Sequence, residues 1–168
     1  MITPQYLEIL ALYNHWQDET LYQLCDALSP ADFQGDRGMF FGSIFNTLNH
    51  ILYVDQITYE FIQTKILPSN LEPKTILYAH YSDLKTARAE FNQRLVQDSR
   101  RQDQDWLDEV FDYWSDRLQR QRRVPRGFYY VQMFNHQTHH RSQITAELHR
   151  LGYDYGSTDL PYNPYNPF

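Results

Sequence analysis

The sequence predicts an all-α fold, a four-helix bundle in which long crossover connections join the helices. Apolar residues recur at three- and four-residue steps in four long segments, the spacing that forms one face of an α-helix. The chain has 168 residues, which suits one domain better than two. A long stretch between the third and fourth segments leaves room for a crossover, so strict up-and-down topology is not required. We therefore expect a single domain over residues 1–168, with a proline-rich tail at 161–168.

The first helix is predicted over residues 3–28. Thr3 is a favourable N-cap and Pro4 suits the first helical turn, while Pro30 follows at the point where the helix must stop. Cys25 is the only cysteine, so it cannot form an intramolecular disulfide. Because it falls within the apolar pattern of the helix, we interpret it as a small core residue.

The second helix is predicted over residues 43–65, after a turn-rich stretch, with Ser43 as its N-cap. His50 lies on its apolar face, because Val54 and Phe61 follow at four and eleven positions. A single histidine on such a face is more often structural than a metal ligand. Its role therefore depends on what the other helices bring close to it.

The third helix is predicted over residues 73–98, with His80 beside its apolar face as a partly exposed histidine. The pattern from 100 to 126 is unclear: "WLDEVFDYW" fits a short strand or a helical continuation, and "RLQRQRRVPRG" resembles a connection punctuated by proline and glycine. The fourth helix is predicted over 128–151, and Gly152 is a favourable residue to end it. The tail "YNPYNPF" cannot extend that helix, because proline interrupts helices.

The charge of the chain argues against nucleic-acid binding. The net charge is −6 at pH 7, and affinity for nucleic acid depends largely on phosphate contacts, so we expect no nucleic-acid partner. One basic cluster departs from this balance, and it fits either a solvated connection or a site for an anionic substrate group. Its members are Arg117, Arg120, Arg122, Arg123 and Arg126.

Membrane and export signals are not apparent in the sequence. The first residues, "MITPQYLEIL", lack the basic region and long apolar run of a signal peptide. No stretch approaches the ~18 apolar residues of a membrane span. We therefore expect a cytoplasmic protein without a membrane partner.

Three of the seven histidines lie in the segment "FNHQTHHRSQI" of the fourth predicted helix. His136 and His140 are four apart, so they lie one turn apart on the same face and can point at one ion. His139 is rotated by about 100° from His140 and should point aside. Gln137 stands where H-E-x-x-H metalloproteases carry their glutamate, so that class is not indicated. Two ligands on one helix need a third from elsewhere, and His50 is a candidate.

The chain resembles the DinB-like (DinB/YfiT-like) metalloenzyme family. The matching segments are "LNHILYVDQI" and "FNHQTHHRSQI", with looser matches at "YNHW" and "TDLPY", in the same order over nearly the whole chain. This resemblance implies a four-helix bundle with long crossovers. It also implies a divalent metal ion held by three histidines, which by motif position are His50, His136 and His140. Ser142 replaces the glycine usual in the family motif "HHRGQ" and adds bulk near the site.

The resemblance also bears on activity. Relatives include metal-dependent thiol transferases and a mycothiol-dependent isomerase. Three imidazole ligands leave coordination positions open, and they suit Zn, Ni, Cu or Fe. We therefore expect a metal-dependent enzyme with thiol (S-)transferase-like chemistry on a small electrophile, with a low-molecular-weight thiol as the other substrate. A metal-dependent hydrolase and a non-catalytic metal-binding stress-response protein are the alternatives.

Two further expectations complete the sequence-based description. No catalytic acid or base can be assigned, although Glu147, two turns beyond His140, fits a solvated or ion-paired side chain better than a distant acid–base role. Aromatic residues make up 16% of the chain, which makes an apolar interface plausible. Because many members of the family form homodimers, the resemblance implies a homodimer.

Overall fold

The computed structural model describes residues 1–66 and 72–168. Among these residues the fold is mostly helical, with six α-helices, one short 3-10 helix and one two-stranded antiparallel sheet. None of the described helices is both long and apolar enough to cross a membrane. In chain order the elements are α1 (Pro4–Cys25), α2 (Pro30–Gln34), α3 (Ile44–Thr64), α4 (Tyr81–Ser99), α5 (Gln104–Asp108), β1 (Val110–Ser115), β2 (Arg120–Pro125), α6 (Gly127–Arg150) and the 3-10 helix Leu160–Tyr162.

The four long helices enclose the hydrophobic core. α1 packs against α4 and α6, and α3 packs against the same two helices. Apolar side chains from all four helices meet in one cluster. The side chains that are most completely buried on these helices include Leu7, Leu48, Leu52, Leu84, Leu95, Met133 and Ile144.

The predicted boundaries of three long helices are confirmed to within a few residues. Thr3 caps α1 by accepting a hydrogen bond from the backbone N–H of Tyr6 at 3.1 Å. α3 ends at Thr64, followed by Lys65 in the left-handed conformation. Gly152, just beyond α6, has φ of +85°, a conformation that glycine adopts without steric cost. Capping and backbone rules therefore located these ends from the sequence.

The predicted start of the third long helix is wrong. α4 begins at Tyr81 rather than near residue 73, and His80 lies at its N-cap position without a side-chain capping bond. The side chain of Asn49 on α3 explains the difference. Its Oδ1 accepts from the backbone N–H of Tyr78 at 3.0 Å, and its Nδ2 donates to the Tyr78 carbonyl at 3.3 Å. These bonds satisfy the Tyr78 peptide groups outside a helix. Ile76, within the range predicted to be helical, is 44% exposed.

The segment that resembled a connection forms half of a β-hairpin. β1 pairs with β2 in antiparallel register, with Phe111 opposite Val124, and both side chains are buried. The Phe111 ring packs against Phe61 of α3 at 5.3 Å between centroids. β-hairpins place alternate side chains on opposite faces. The inward-facing pair of Phe111 and Val124 therefore anchors the hairpin although β2 is otherwise rich in arginine, and periodicity over a longer window does not detect such a short element.

The C-terminal segment lies along α1. The Tyr13 hydroxyl donates to the Thr158 carbonyl at 2.7 Å, and Gln17 Nε2 donates to the Ser157 carbonyl at 3.2 Å. Further along, the Tyr165 hydroxyl donates to Glu19 at 2.7 Å. The proline-rich tail is therefore tied to the helical body by side chains of α1.

Loss of the α3 cap is expected to destabilise the fold. Ser43 is buried, and its hydroxyl accepts from the backbone N–H of Asn46 at 3.1 Å. Ser43→Ala should lower the free energy of unfolding by about 1 kcal/mol, because that N–H loses its partner at the start of a helix. Denaturant unfolding measures this. Ser82→Ala, in the exposed first turn of α4, is the control and should change it by less than about 0.5 kcal/mol. Equal effects of the two substitutions would contradict the capping role.

Candidate metal centre

The structure brings together the three histidines that the sequence and the family resemblance selected. His50 comes from α3, and His136 and His140 come from α6. One ring nitrogen from each lies within 4.8 Å of the others, an arrangement that could hold a metal ion. His139 is exposed and lies outside this group, although its ring contacts that of His140. The helical-wheel argument therefore correctly separated His139 from its two neighbours.

Hydrogen bonds orient two of the three imidazole rings. His50 Nδ1 lies 2.7 Å from the carbonyl oxygen of Pro73, and His140 Nδ1 lies 2.8 Å from Oε1 of Gln143. These oxygens accept hydrogen bonds, so each Nδ1 carries the proton and each Nε2 presents a lone pair. In metal-binding histidines the second ring nitrogen is usually held in this way. Both rings are thus set in the tautomer that can bind an ion through Nε2.

The position of the third ring, His136, shows whether the spacing of the nitrogens fits a metal ion. Its Nε2 lies 3.2 Å from Nε2 of His50, and its Nδ1 is buried without a hydrogen-bond partner among the described residues. Zinc binds imidazole nitrogen at about 2.0–2.1 Å in tetrahedral geometry, which places two ligand nitrogens roughly 3.3–3.4 Å apart. The separation of the two Nε2 atoms and the set of three nitrogen donors therefore fit a divalent transition metal.

The electrostatics of the site favour neutral imidazoles. Burial is the largest cause, and together with the neighbouring His140 and His50 it lowers the pKa of His136 to about 3. Burial is also the main cause that lowers the pKa of His50 and of His140. A metal ion binds the unprotonated ring, so protons compete weakly for these three nitrogens near pH 7.

An aromatic side chain that the sequence analysis did not select covers the site. The ring of Phe41 stacks on His50 at 4.0 Å between centroids, and it meets His140 edge-on at 5.5 Å. Gly38 and Gly42, both with positive φ, shape the loop that carries Phe41. The sequence feature behind this contact is the "GMFFG" segment. A loop has no periodicity, however, so the direction of the Phe41 side chain could not be predicted from it.

The other polar residues considered near the site have structural partners. Glu147 is buried and accepts a hydrogen bond from Arg37 Nε at 2.7 Å, so it forms the ion pair that its sequence position suggested. Asp55 is likewise buried and is paired with Arg88 of α4. Ser142 is exposed, so its side chain does not crowd the packed interior. None of these residues supplies a fourth ligand to the three histidines in the described structure.

The basic cluster is divided between a structural role and an exposed hairpin. Arg126 is buried, pairs with Glu109, and places its guanidinium 4.0 Å from the centre of the Trp106 ring. Most of the other arginines lie on or beside β2, whose hairpin packs against Phe61. Phe61 is eleven residues after His50 on α3, about 16 Å along the helix axis. The described contacts therefore do not connect the cluster with the histidines.

Removal of the partner of His140 is expected to weaken metal binding without unfolding the protein. Gln143→Ala deletes the oxygen that fixes the His140 tautomer, and loss of such a partner typically lowers metal affinity about 10- to 100-fold. Competition with a chelator of known affinity measures the change. Gln132→Ala replaces an exposed glutamine on the same helix and should leave the affinity unchanged. An unaltered affinity in Gln143→Ala would show that the hydrogen bond does not orient a ligand.

Comparison with known proteins identifies a matching family. The sequence matches the model of the DinB family over residues 1–166, which is nearly the whole chain. Neither the curated proteins nor the solved structures gave a match. The chain belongs to the DinB family.

Proposed function

We propose that this protein is a divalent-metal-dependent enzyme that transfers a low-molecular-weight thiol to a small electrophile, with His50, His136 and His140 as the metal ligands. The observation that carries the proposal is the convergence of three neutral imidazoles with no fourth protein ligand among the described residues. Catalytic metal sites keep a position open in this way, whereas structural sites are closed by protein ligands. Zn, Ni and Fe all suit such a donor set.

The residues of this chain favour a nucleophile that is supplied by a substrate. Cys25, the only cysteine, is buried on α1, and burial raises the pKa of its thiol to about 12, so it is a poor nucleophile. Pro73 and Gln143 hold two imidazoles in the binding tautomer, and Phe41 covers one side of the site. A divalent ion held there would lower the pKa of a thiol and keep it nucleophilic near pH 7. The thiol would therefore come from a substrate.

The overall arrangement supports the same class of site. We propose that the four long helices form the four-helix bundle of the family, with the hairpin lying in the long crossover between α4 and α6. Binding sites in bundles are built from side chains of facing helices. α3 and α6 pack against each other and contribute all three histidines.

Hydrolysis is the second candidate, favoured by the same open position. Three neutral ligands leave the charge of a divalent ion uncompensated, and such an ion also lowers the pKa of water. The two reactions differ in what is consumed. A thiol transferase consumes thiol in proportion to electrophile, whereas a hydrolase gives the same product with or without thiol.

Thiol consumption is the test of the proposal. The protein, purified without a histidine tag and analysed for metal, is incubated with a thiol and a panel of electrophiles. We expect metal-dependent loss of thiol that disappears in His136→Ala and persists in His139→Ala. Product formation without thiol would favour the hydrolase, and no turnover by metal-loaded protein would favour a non-catalytic metal-binding protein. Full turnover by metal-stripped protein would contradict both enzymatic proposals.

We also propose that the protein is a cytoplasmic homodimer. Several large apolar side chains are exposed, among them Trp114 and Leu118 on and beside the hairpin, and such residues are common in interfaces. A dimer would have twice the chain mass of 20.3 kDa. Light scattering after size-exclusion chromatography at micromolar concentration measures the mass of the species in solution. A species with the mass of one chain would contradict the dimer.

A further inference from the structure

The outer wall of the histidine site continues into an exposed aromatic ring and a lysine. Phe41, which stacks on His50, meets the ring of Phe40 edge-on at 4.8 Å between centroids. Phe40 is 70% exposed. The Nζ of Lys74 lies 5.4 Å from the centre of the Phe40 ring. Outward from His50, the wall therefore runs through Phe41 and Phe40 to the ammonium group of Lys74.

The backbone ties Lys74 to the same site. Pro73 precedes it in the chain, and the Pro73 carbonyl is the hydrogen-bond partner of His50 Nδ1. The position of Lys74 is thus linked to the orientation of a candidate ligand. Its side chain is exposed and turns toward Phe40, so its ammonium group lies at the solvent-facing end of this wall.

Lys74 differs from the other two lysines in its pairing. Lys65 pairs with Glu109, and Lys85 pairs with Asp26 at 2.6 Å. Within the described residues, no carboxylate oxygen lies within 4.0 Å of Lys74 Nζ. Its charge is therefore available to an anionic group of a bound molecule.

Phe40 offers the complementary contact. Ligand sites combine apolar and aromatic walls with a few placed polar groups that fix orientation. A single exposed aromatic residue is ordinary on a protein surface. Here the exposed ring lies between a three-histidine group and an unpaired cation, so both ends of a bound molecule would have a partner.

We infer that Phe40 and Lys74 form a substrate subsite that selects molecules with an aromatic or apolar body ending in a carboxylate or similar anion. The inference rests on the proposed function, since the other end of the molecule is placed at the histidines. Phe40 contacts the body, and Lys74 determines specificity by charge. This assigns the anion-binding role to Lys74 in place of the arginine cluster considered from the sequence.

The test compares matched ligands by calorimetry on metal-loaded protein. The first pair is benzyl thiol and 4-(mercaptomethyl)benzoate, which differ only in the carboxylate. We expect the carboxylate to bind more tightly by a factor on the order of five, the size of a partly exposed ion pair. Lys74→Met should remove this preference while leaving metal content and the affinity for benzyl thiol unchanged. Phe40→Ala should weaken both ligands.

Two controls separate this inference from the proposed function. Lys85→Met removes the same charge elsewhere and should keep the preference. A second pair, benzohydroxamate and 4-carboxybenzohydroxamate, binds metal through oxygen and reports on the subsite without thiol chemistry. If neither thiol binds but the hydroxamate pair shows a Lys74-dependent preference, the thiol-transfer proposal fails and the subsite stands. If the charged and neutral members bind equally in both pairs, or Lys74→Met retains the preference, the subsite is overturned.

Discussion

His136→Ala is expected to abolish stoichiometric metal binding at micromolar protein concentration. Loss of an outer hydrogen-bond partner alone typically lowers metal affinity about 10- to 100-fold, and loss of a direct ligand should exceed this. Only three protein nitrogens converge in the described structure, so the variant retains two, His50 and His140. Metal analysis of protein purified without a histidine tag, followed by chelator competition, measures the effect.

The matched control is His139→Ala, in the same helix. His139 is exposed and lies outside the group of three, so its loss should leave metal content unchanged. The fold of His136→Ala should also persist, because among the described residues His136 Nδ1 has no hydrogen-bond partner and Nε2 lies within hydrogen-bond distance only of His50 Nε2. Circular dichroism checks this. Equal metal content in wild type and His136→Ala would reject the three-histidine centre, whatever the activity.

Arg88→Ala is expected to lower the free energy of unfolding by about 3–5 kcal/mol, the usual cost of removing one partner from a buried ion pair. Arg88 of α4 is buried and donates to Asp55 of α3 at 2.7 Å. It also lies 3.5 Å from Asp18 of α1, and Asp18 is 3.7 Å from Arg141 of α6. The network thus joins all four long helices. Without Arg88, two buried carboxylates lose a positive partner.

The pH dependence of this effect follows from Asp55. Burial raises the pKa of Asp55 to about 6, against the opposing effect of Arg88. A raised pKa means that the folded state takes up a proton more readily than the unfolded state, so the folded state is favoured as pH falls. Removing Arg88 raises the pKa of Asp55 further, because the positive charge that lowers it is lost. The penalty of Arg88→Ala should therefore be larger at pH 8, where Asp55 is charged, than at pH 5.

Denaturant unfolding at the two pH values measures both the size and the sign of the effect. Arg94→Ala provides the control, because Arg94 is an exposed arginine on the same helix, and it should change stability by less than about 0.5 kcal/mol. A cost below about 1 kcal/mol for Arg88→Ala, or a larger penalty at pH 5, would show that the network does not hold charged groups in the interior.

Helix ends are predictable from the sequence where a local rule applies. Thr3 and Ser43 were assigned as caps because the first backbone N–H groups of a helix have no acceptor within it and a side-chain oxygen can accept from them, as both do. The start of α4 was missed because Asn49, 29 positions before Tyr78, satisfies the Tyr78 backbone outside a helix. Propensity within one segment carries no information about a partner on another helix.

The same distinction applies to the candidate site. His136 and His140 could be paired from their spacing, since helix geometry places residues four apart on one face. Spacing alone left the third ligand open, and the family motif pointed to His50. Pro73 could not have been identified, because its carbonyl is a backbone group whose direction depends on the path of the loop. Phe41 was missed because the direction of its side chain also depends on the path of a loop.

The order of amino acids is enough to predict a mostly helical chain, the approximate bounds of three long helices and two histidines that can share one ion, because each of these follows from contacts within a few residues. Packing between helices establishes the rest. It brings His50 within 3.2 Å of His136, aligns Pro73 with His50, and places Phe40 beside Lys74. These contacts join positions far apart in the chain, so only the relative placement of the helices and loops produces them.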